Sequence, residues 1–198
     1  MAAEKPYYKS KDEDFMQKLK RSVYDGMRDM EPEDKKRAWK MMQRKVFLDD
    51  IHQIAIGKLE AKEPVYMGTG NYVPELAVIT AKSLEFSKEA RELVESIVKA
   101  SKLSDVYYTG KYKTSRILKS HLEDHAEILD MEIKAIKPAA ILAFGPVFPE
   151  GTTEHLGIPV VQTHGLTTLL TSEDDEEKKK LKAEIWNDVK QIKKLLQP

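Results

Sequence analysis

Residues 137–145 have the sequence KPAAILAFG, in which the apolar run over residues 139–144 has the length and composition of a buried β-strand. A proline precedes this run and a glycine follows it, so both ends of the predicted strand are marked. Similar short apolar runs occur at residues 76–79, 106–108 and 159–162. The four runs together predict four short strands.

Longer stretches with helical character separate these runs, at about residues 87–102 and 114–137, and a third stretch at about 173–196 closes the chain. Strands that alternate with helices predict βαβ crossovers and a parallel sheet that is covered on both faces. We therefore predict a three-layer α/β/α fold around a short central parallel sheet of about four strands. Ligands of such sheets bind at the carboxyl ends of the strands, which is where Gly145 and His164 occur in this sequence.

Two amphipathic helices are predicted ahead of the first strand, over about residues 12–30 and 33–59. In the first helix, apolar side chains recur every four residues, at Phe15, Leu19, Val23 and Met27. A Glu31-Pro32 pair separates the two helices, and proline suits the first turn of the second. We expect residues 1–60 to form an N-terminal tail and helical extension, and residues 61–198 to form the α/β domain.

The composition of the chain excludes several classes of protein. Its 198 residues, of which 41% are hydrophobic, are enough for one sizeable core. Lys+Arg and Asp+Glu both number 33, so a net charge of zero gives no general attraction to nucleic acid or to an anionic membrane. The absence of cysteine excludes disulfides and cysteine-ligated metal clusters. Because no apolar run has the length of a signal peptide core or a membrane span, we expect a cytoplasmic protein without a membrane partner.

Three motifs have residue types that are able to bind a ligand. His121 and His125 are four residues apart on a predicted helix, a spacing that suits a metal site, but no third ligand is evident and a polar helix face is the better interpretation. We therefore predict no metal and no cofactor. The glycines of MGTGN, residues 67–71, precede a strand instead of opening a helix, and they predict a hairpin-type turn. His164 follows an apolar strand, where it either structures its loop or faces a ligand.

Four segments follow one another in an order that is found in a known family. They are VYMGTGNYVPELAVIT (65–80), VYYTGKYKT (106–114), KPAAILAFG (137–145) and IPVVQTHGLTTLL (158–170). The chain resembles the uracil-DNA glycosylase superfamily, specifically the branch that usually carries an iron–sulfur cluster. In that family, the segment that corresponds to residues 65–80 leads into the first catalytic motif, and the one that corresponds to 106–114 forms the second conserved strand. The counterpart of residues 137–145 ends in a glycine, and the counterpart of 158–170 carries a His-Pro-Ser loop. The resemblance extends over about residues 46–196.

The sequence also departs from the family at positions that carry its chemistry. Ala81 stands where the family has the acidic residue that activates or orients water. Gly110 stands where the family has the asparagine that hydrogen-bonds the extruded base. Of the His-Pro-Ser loop only His164 remains, and the shortened loop that normally supplies a base-stacking phenylalanine has only Phe86 nearby. The cysteines of the cluster are absent.

These departures favour a non-catalytic member of the family. Glycosidic cleavage needs a carboxylate or a polarised water at the sugar, and base flipping needs a pocket that hydrogen-bonds the base. Ala81 and Gly110 offer neither. We therefore predict a uracil-DNA-glycosylase-like domain that binds DNA, a DNA polymerase or other replication or repair protein, or both. Such domains resemble viral replication modules, and for a viral source the expected cytoplasmic location is the cytoplasm of the host.

The resemblance also implies which residues contact DNA. Lys82, Lys111, Lys113 and His164 are all expected at the carboxyl edge of the sheet. Lysines at that edge would contact phosphates and would give affinity without base specificity. His164 is in addition the one remnant of the catalytic residues, and a histidine there is able to stabilise an anion that develops on a base.

Two other functions stay open. In the first, the domain is an active glycosylase with altered base specificity, in which Asp105, Glu85 or Glu154 replaces the lost carboxylate. In the second, it is a protein-interaction module with an idle cleft, whose helical extension binds the partner; the neutral net charge favours this function over DNA binding. If DNA binds outside the cleft, the basic helix around Arg37 and Arg44 is the expected surface.

Overall fold

The structure, a computed structural model, describes Met27 and residues 29–197. The helix that we predict over residues 12–30 falls almost wholly outside these residues and stays a prediction. The chain divides into two compact units, Met1–Lys40 and Met41–Pro198. The boundary between them falls inside helix α1 (Pro32–Lys58), which confirms the second predicted helix and begins at the proline.

The second unit contains a six-stranded sheet and four further helices. In chain order these elements are β1 (Thr69–Gly70), β2 (Leu76–Lys82), α2 (Lys88–Ala100), β3 (Val106–Tyr112), α3 (Leu122–Ile136), β4 (Ala140–Phe144), β5 (Glu154–His155), β6 (Ile158–Thr163), α4 (Leu166–Thr171) and α5 (Asp175–Leu196). The strands lie in the order β1-β3-β2-β4-β6-β5. The inner four strands are parallel, and the two-residue strands β1 and β5 are antiparallel at the edges. The predicted α/β fold with four parallel strands is confirmed.

The two faces of the sheet bury separate apolar layers. β4 is buried throughout and β2 nearly so, as expected for central strands of a parallel sheet that is covered on both faces. Successive side chains of a strand point to opposite faces. Ala77 and Tyr107 accordingly pack with α3 and the second-unit part of α1, whereas Val78 and Leu142 pack with α2, α4 and α5.

The part of α1 that belongs to the second unit is a component of this core. Leu48, Ile51 and Ala55 are buried with the spacing of one helix face. Ile54 lies on another face of α1 and is 41% exposed. The domain limits at residues 60 and 61 stay a prediction, while the compact unit that contains the sheet begins at Met41.

Helix α3 begins later than predicted, at Leu122 instead of near residue 114. The Glu63 carboxylate accepts hydrogen bonds from the Arg116 N–H, at 3.0 Å, and from the Ser115 hydroxyl. These side-chain hydrogen bonds compete with the backbone bonds of a helix, and they favour a loop over residues 115 and 116.

The segment over residues 67–71 does not form the predicted hairpin turn. Thr69 and Gly70 instead form β1, which pairs with Tyr108 and Tyr107 of β3. Gly70 has a positive φ of 114°, a conformation that glycine adopts readily. This short strand pairs with peptide groups of β3 that would otherwise be unpaired at this side of the sheet.

Candidate functional site

The carboxyl ends of β3, β2, β4 and β6 form one edge of the sheet, which we call the carboxyl edge. The chain passes from β2 to β3 on one side and from β4 to β6 on the other, so the strand order reverses between β2 and β4. Open α/β sheets bind ligands at such a switch point. The loops that follow these strands are therefore the first place to look for a site.

Two of the predicted DNA contacts, Lys82 and Lys111, lie at this edge. Lys82 ends β2, is paired in register with Tyr112, and has an exposed side chain. The Lys111 ammonium donates a hydrogen bond to the Val147 carbonyl at 2.7 Å and lies 5.8 Å from the centre of the Tyr112 ring. Because β2 lies between β3 and β4, the Lys111 side chain crosses the end of β2 to reach Val147. Lys82 and Lys111 therefore both place a positive charge near the switch point.

Lys113 does not lie on this surface, and the prediction that it contacts DNA is wrong for this structure. Its side chain has no solvent exposure, and its ammonium is in contact with the Glu132 carboxylate. The ammonium also donates to the Thr109 hydroxyl at 2.8 Å. Burial lowers the pKa of Lys113, although the Glu132 carboxylate opposes this effect. A phosphate has no access to this lysine.

Glu132 is the centre of a buried polar network that the sequence analysis missed. Its carboxylate accepts hydrogen bonds from the Gly68 N–H at 2.6 Å, the Tyr107 hydroxyl at 2.8 Å and the Thr109 hydroxyl at 2.9 Å, in addition to the Lys113 ammonium. The sequence does carry an indication, because Glu132 lies on the apolar face of α3, where an acidic residue needs a partner. The network ties α3 to β3 and to the segment that leads into β1.

His164 lies at the other end of the carboxyl edge, just after β6. Its Nε2 atom is 2.7 Å from a carboxylate oxygen of Glu184 on α5, and both side chains are partly exposed. Close packing of Gly145 against Gly165 brings the loops after β4 and β6 together, since a Cβ atom on Gly145 would lie 3.2 Å from the Gly165 Cα. Histidine with a carboxylate partner is an arrangement capable of general base catalysis. The carboxylate also disfavours a phosphate beside His164.

A cleft of about 420 Å³, which we call the His164 cleft, opens next to this pair. Its wall consists of Gly145, Pro146, Phe148, Glu150, Gln162, Thr163, His164 and Asp188. The Gln162 side chain joins β6 to the loop after β4, since it accepts from the Phe148 N–H at 2.9 Å and donates to the Phe148 carbonyl at 3.3 Å. The cleft thus combines this hydrogen-bonded loop with the carboxylates of Glu150 and Asp188.

Gly110 and Ala81, which align with catalytic positions in the glycosylase resemblance, have closely packed surroundings. A Cβ atom on Gly110 would lie 2.7 Å from the Ser83 Cα and closer still to the Ser83 nitrogen, so the turn after β2 leaves no room for a side chain there. Ala81 lies within β2. Phe86 packs edge-on against Tyr66, with ring centres 4.7 Å apart. The chain's own turn therefore fills the space beside Gly110.

The three carboxylates that the active-glycosylase alternative requires as replacements have different surroundings. Glu85 forms an ion pair with Arg91. Asp105 precedes β3 and therefore lies at the opposite edge of the sheet from the carboxyl edge. Glu154 belongs to β5. None of them lines the His164 cleft.

His121 and His125 do not lie on one helix as predicted from their spacing. His121 precedes the helix, and His125 is buried, with its Nδ1 accepting the Lys113 N–H at 3.2 Å. Burial, assisted by the nearby Lys113 charge, lowers the pKa of His125. Among the described residues, no group of three or more His, Asp or Glu side chains is arranged to hold a metal ion.

One of the two arginines named for the alternative basic surface on α1, Arg44, forms a hydrogen bond within the protein. The Arg44 guanidinium donates a hydrogen bond to the Tyr72 carbonyl at 3.0 Å, and burial lowers its pKa. Arg37 belongs to the other compact unit. The proposal that this helix binds DNA stays a prediction.

Neither a protein-family model nor a curated protein sequence matches this chain. The glycosylase resemblance therefore rests on the quoted segments and their order. Within residues 29–197, no helix has the length and apolar character that crossing a membrane requires.

Proposed function

We propose that this chain is a non-catalytic, uracil-DNA-glycosylase-like domain that binds DNA, a replication or repair protein, or both, in the cytoplasm. The observation that carries the proposal is the lack of room at Gly110, where an added Cβ atom would lie 2.7 Å from the Ser83 Cα. A glycosylase of this kind needs a side chain at position 110 that hydrogen-bonds an extruded base. The turn after β2 occupies the space that such a side chain would need.

The surroundings of Gly110 support the absence of catalysis. Ala81 has no group that activates water, and the Phe86 ring packs on Tyr66 instead of standing free to stack on a base. Loss of one catalytic group typically costs about 10²–10⁴-fold in rate. Loss of both a water-activating group and a base-binding group would leave no useful turnover.

For DNA, the proposed contacts are Lys82 and Lys111 at the β2 and β3 ends of the carboxyl edge. Their ammonium groups would meet phosphates, and such contacts give affinity without sequence specificity. Glu184 and Asp188 make the region around His164 less suitable for a phosphate. The proposed DNA surface is therefore the β2–β3 side of the edge.

The direct test is a titration of the purified full chain against single-stranded and duplex DNA at two salt concentrations, with a uracil-excision assay in parallel. We expect weak binding that salt reduces steeply, and no excision. Robust excision that is lost in His164→Ala would refute the proposal and favour an active glycosylase built around the His164–Glu184 pair.

A specific observation also favours a protein-interaction module as the second candidate. Phe47 and Ile54 lie one heptad apart on α1, and their side chains are 59% and 41% exposed. Exposed apolar side chains on one helix face are a common form of partner surface. If the chain shows no DNA binding at low salt, this candidate replaces the first.

A further inference from the structure

Helix α5 carries a row of lysines that is interrupted by one tryptophan. The apolar face of the helix is buried in the core, through Leu181, Ile185, Val189 and Ile192. Beside this face runs a row of residues that are three or four positions apart, which is the spacing of neighbours on a helix surface. The row consists of Lys179, Lys182, Trp186, Lys190 and Lys193, and we call it the lysine–tryptophan row.

The lysine–tryptophan row is open to solvent. Trp186 is 37% exposed, Lys179, Lys182 and Lys190 are exposed as well, and Lys193 is half-buried. Lys179 forms an ion pair with Glu176 at 2.9 Å, but both side chains are largely exposed and such a pair is weak. The other three lysines make no hydrogen bond or ion pair with any residue that the structure describes. An aromatic ring therefore stands in solvent between cations that are available to a partner.

The acidic side chains of α5 are kept apart from this row. Glu177, Glu184 and Asp188 lie on the other side of the buried face, at spacings of seven and four residues, and Glu184 contacts His164. The chain as a whole has no net charge, but the two sides of α5 have opposite charges. The side that carries the lysine–tryptophan row attracts an anion.

Trp186 indicates which kind of polyanion fits. Binding to a membrane surface requires an apolar helix face that enters the lipid, and the apolar face of α5 is buried in the core. Duplex DNA keeps the faces of its bases stacked on one another. A single strand offers both phosphates for lysines and free base faces for an aromatic ring. At 1.5 Å per residue, the row from Lys179 to Lys193 is about 21 Å long, enough for several nucleotides.

We propose that the lysine–tryptophan row binds single-stranded DNA. Trp186 stacks on a base, while Lys182 and Lys190, one turn before and one turn after it, contact phosphates on either side. Stacking accepts any base, so this binding does not depend on sequence. The preference for a single strand rests on the row alone, and the choice of DNA over RNA rests on the proposed function. The row is a second surface, because α5 packs on β4 and β6, whereas Lys82 and Lys111 lie on the β2–β3 side of the carboxyl edge.

The test is a fluorescence titration of the full Trp39→Phe chain, in which Trp186 is the one remaining tryptophan. We expect a short oligothymidylate to quench its emission saturably at low salt, because a base stacks on the indole. An abasic oligomer of the same length carries the phosphates without the bases and should not quench. Absence of quenching by oligothymidylate, or equal quenching by the abasic oligomer, would overturn the proposal.

Three further ligands identify the class of partner. Oligouridylate that binds more tightly than oligothymidylate would overturn the choice of DNA. A polyglutamate peptide or phosphatidylserine vesicles that bind at least as tightly as oligothymidylate would assign the row to an acidic protein or to a membrane instead. We expect all three to bind more weakly than oligothymidylate.

Variants of Trp186 are compared in the Lys82→Ala/Lys111→Ala chain, so that the carboxyl edge does not contribute. In this chain, Trp186→Ala should weaken the binding of labelled oligothymidylate about tenfold or more, as measured by fluorescence anisotropy. Trp186→Phe keeps an aromatic ring and should retain most of the affinity. Equal affinity of the alanine variant and its parent would refute stacking. Loss of binding at the carboxyl edge leaves the quenching of Trp186 intact, so the two proposals fail separately.

The lysines are tested by the salt dependence of the same binding. Lys182→Ala/Lys190→Ala should flatten the log–log salt slope by about 1.4, at about 0.7 for each phosphate contact on a single strand. Lys99→Ala/Lys134→Ala removes two exposed charges elsewhere and should leave the slope unchanged. A slope that is the same in Lys182→Ala/Lys190→Ala as in the parent, or that falls equally in the control, would exclude the row as the binding surface.

Discussion

The Lys113 ammonium and the Glu132 carboxylate are in contact at a place where neither side chain has any exposure to solvent. Two further hydroxyls and one backbone N–H complete the hydrogen bonding of the carboxylate. A buried pair of this kind is not a large source of stability in itself, but breaking it leaves an uncompensated charge in the core.

Removing one partner of this pair should therefore destabilise the fold strongly. We expect Lys113→Met to lower the free energy of unfolding by about 3–5 kcal/mol, because Glu132 is left as an unpaired buried charge. Urea unfolding followed by circular dichroism measures the change. Lys119→Met is the matched control, since that lysine is exposed and its replacement should change stability by less than about 0.5 kcal/mol.

A double-mutant cycle tests whether the effect comes from the pair. In the Lys113→Met background, Glu132→Gln should cost much less than it does in the parent, because neutralising the carboxylate then removes an unpaired charge. Strictly additive effects would show that the two side chains do not interact energetically.

Restoring an asparagine at position 110 should not restore glycosylase chemistry. The new Cβ would meet the Ser83 backbone, and overpacking of this kind typically costs about 1–3 kcal/mol. We expect Gly110→Asn to be destabilised by that amount and to excise no uracil. Gly57→Ala is the control, because nothing lies within 4 Å of its Cβ position on α1 and alanine should add up to about 1 kcal/mol of helix stability. A stable Gly110→Asn variant that excises uracil would contradict the conclusion that the turn after β2 leaves no room for a side chain at position 110.

Stability should fall in mild acid because of His125. Its pKa in the folded state lies below the ordinary value of 6.5, with burial as the main cause. The unfolded chain therefore takes up the proton first, so the stability that His125 contributes is intact above about pH 6.5 and is lost as the pH falls towards its folded pKa. His125→Asn, which can still accept the Lys113 N–H, should flatten the pH dependence of unfolding between about pH 7 and pH 5.

The same series with His52→Asn provides the comparison, since His52 lies on α1 and makes no hydrogen bond or ion pair with Lys113 or Glu132. Its pH profile should follow that of the parent. If His125→Asn also follows the parent, another group is responsible for the acid sensitivity.

DNA binding, if it uses the proposed surface, should depend on Lys82 and Lys111. Each phosphate that a lysine neutralises steepens the log–log salt slope by about 0.9 on duplex DNA or 0.7 on single strands. We expect Lys82→Ala/Lys111→Ala to flatten the slope by about one to two units. Fluorescence anisotropy over a salt series measures this change.

The control for that variant is Lys99→Ala/Lys134→Ala, which removes two exposed charges from the C-terminal turns of α2 and α3. The slope of this variant should match that of the parent. An unaltered slope in Lys82→Ala/Lys111→Ala would exclude the β2–β3 side of the carboxyl edge and direct attention to Arg37 and Arg44.

Local patterns in the sequence were sufficient to predict the four inner strands and the helices α1, α2, α3 and α5, but not the short elements β1, β5 and α4. The runs at 76–79 and 139–144 are apolar enough to be buried on both faces, which by itself requires a sheet between two helical layers. The helical stretches predicted to begin near residues 87 and 173 begin in the structure after the capping residues Ser87 and Asp174. These predictions succeeded because apolar periodicity is a property of residues that are close together in the sequence.

The site depended on contacts between distant parts of the chain, and only the tertiary structure decided it. Lys111 and Lys113 are two residues apart and were predicted to behave alike, but Lys111 passes over the end of β2 to Val147, whereas Lys113 meets Glu132 beneath it. Likewise His164 received its partner from α5, twenty positions along the chain, at Glu184. Whether a charged side chain reaches solvent or a buried partner depends on which helix packs beside its strand, and no local pattern contains that information.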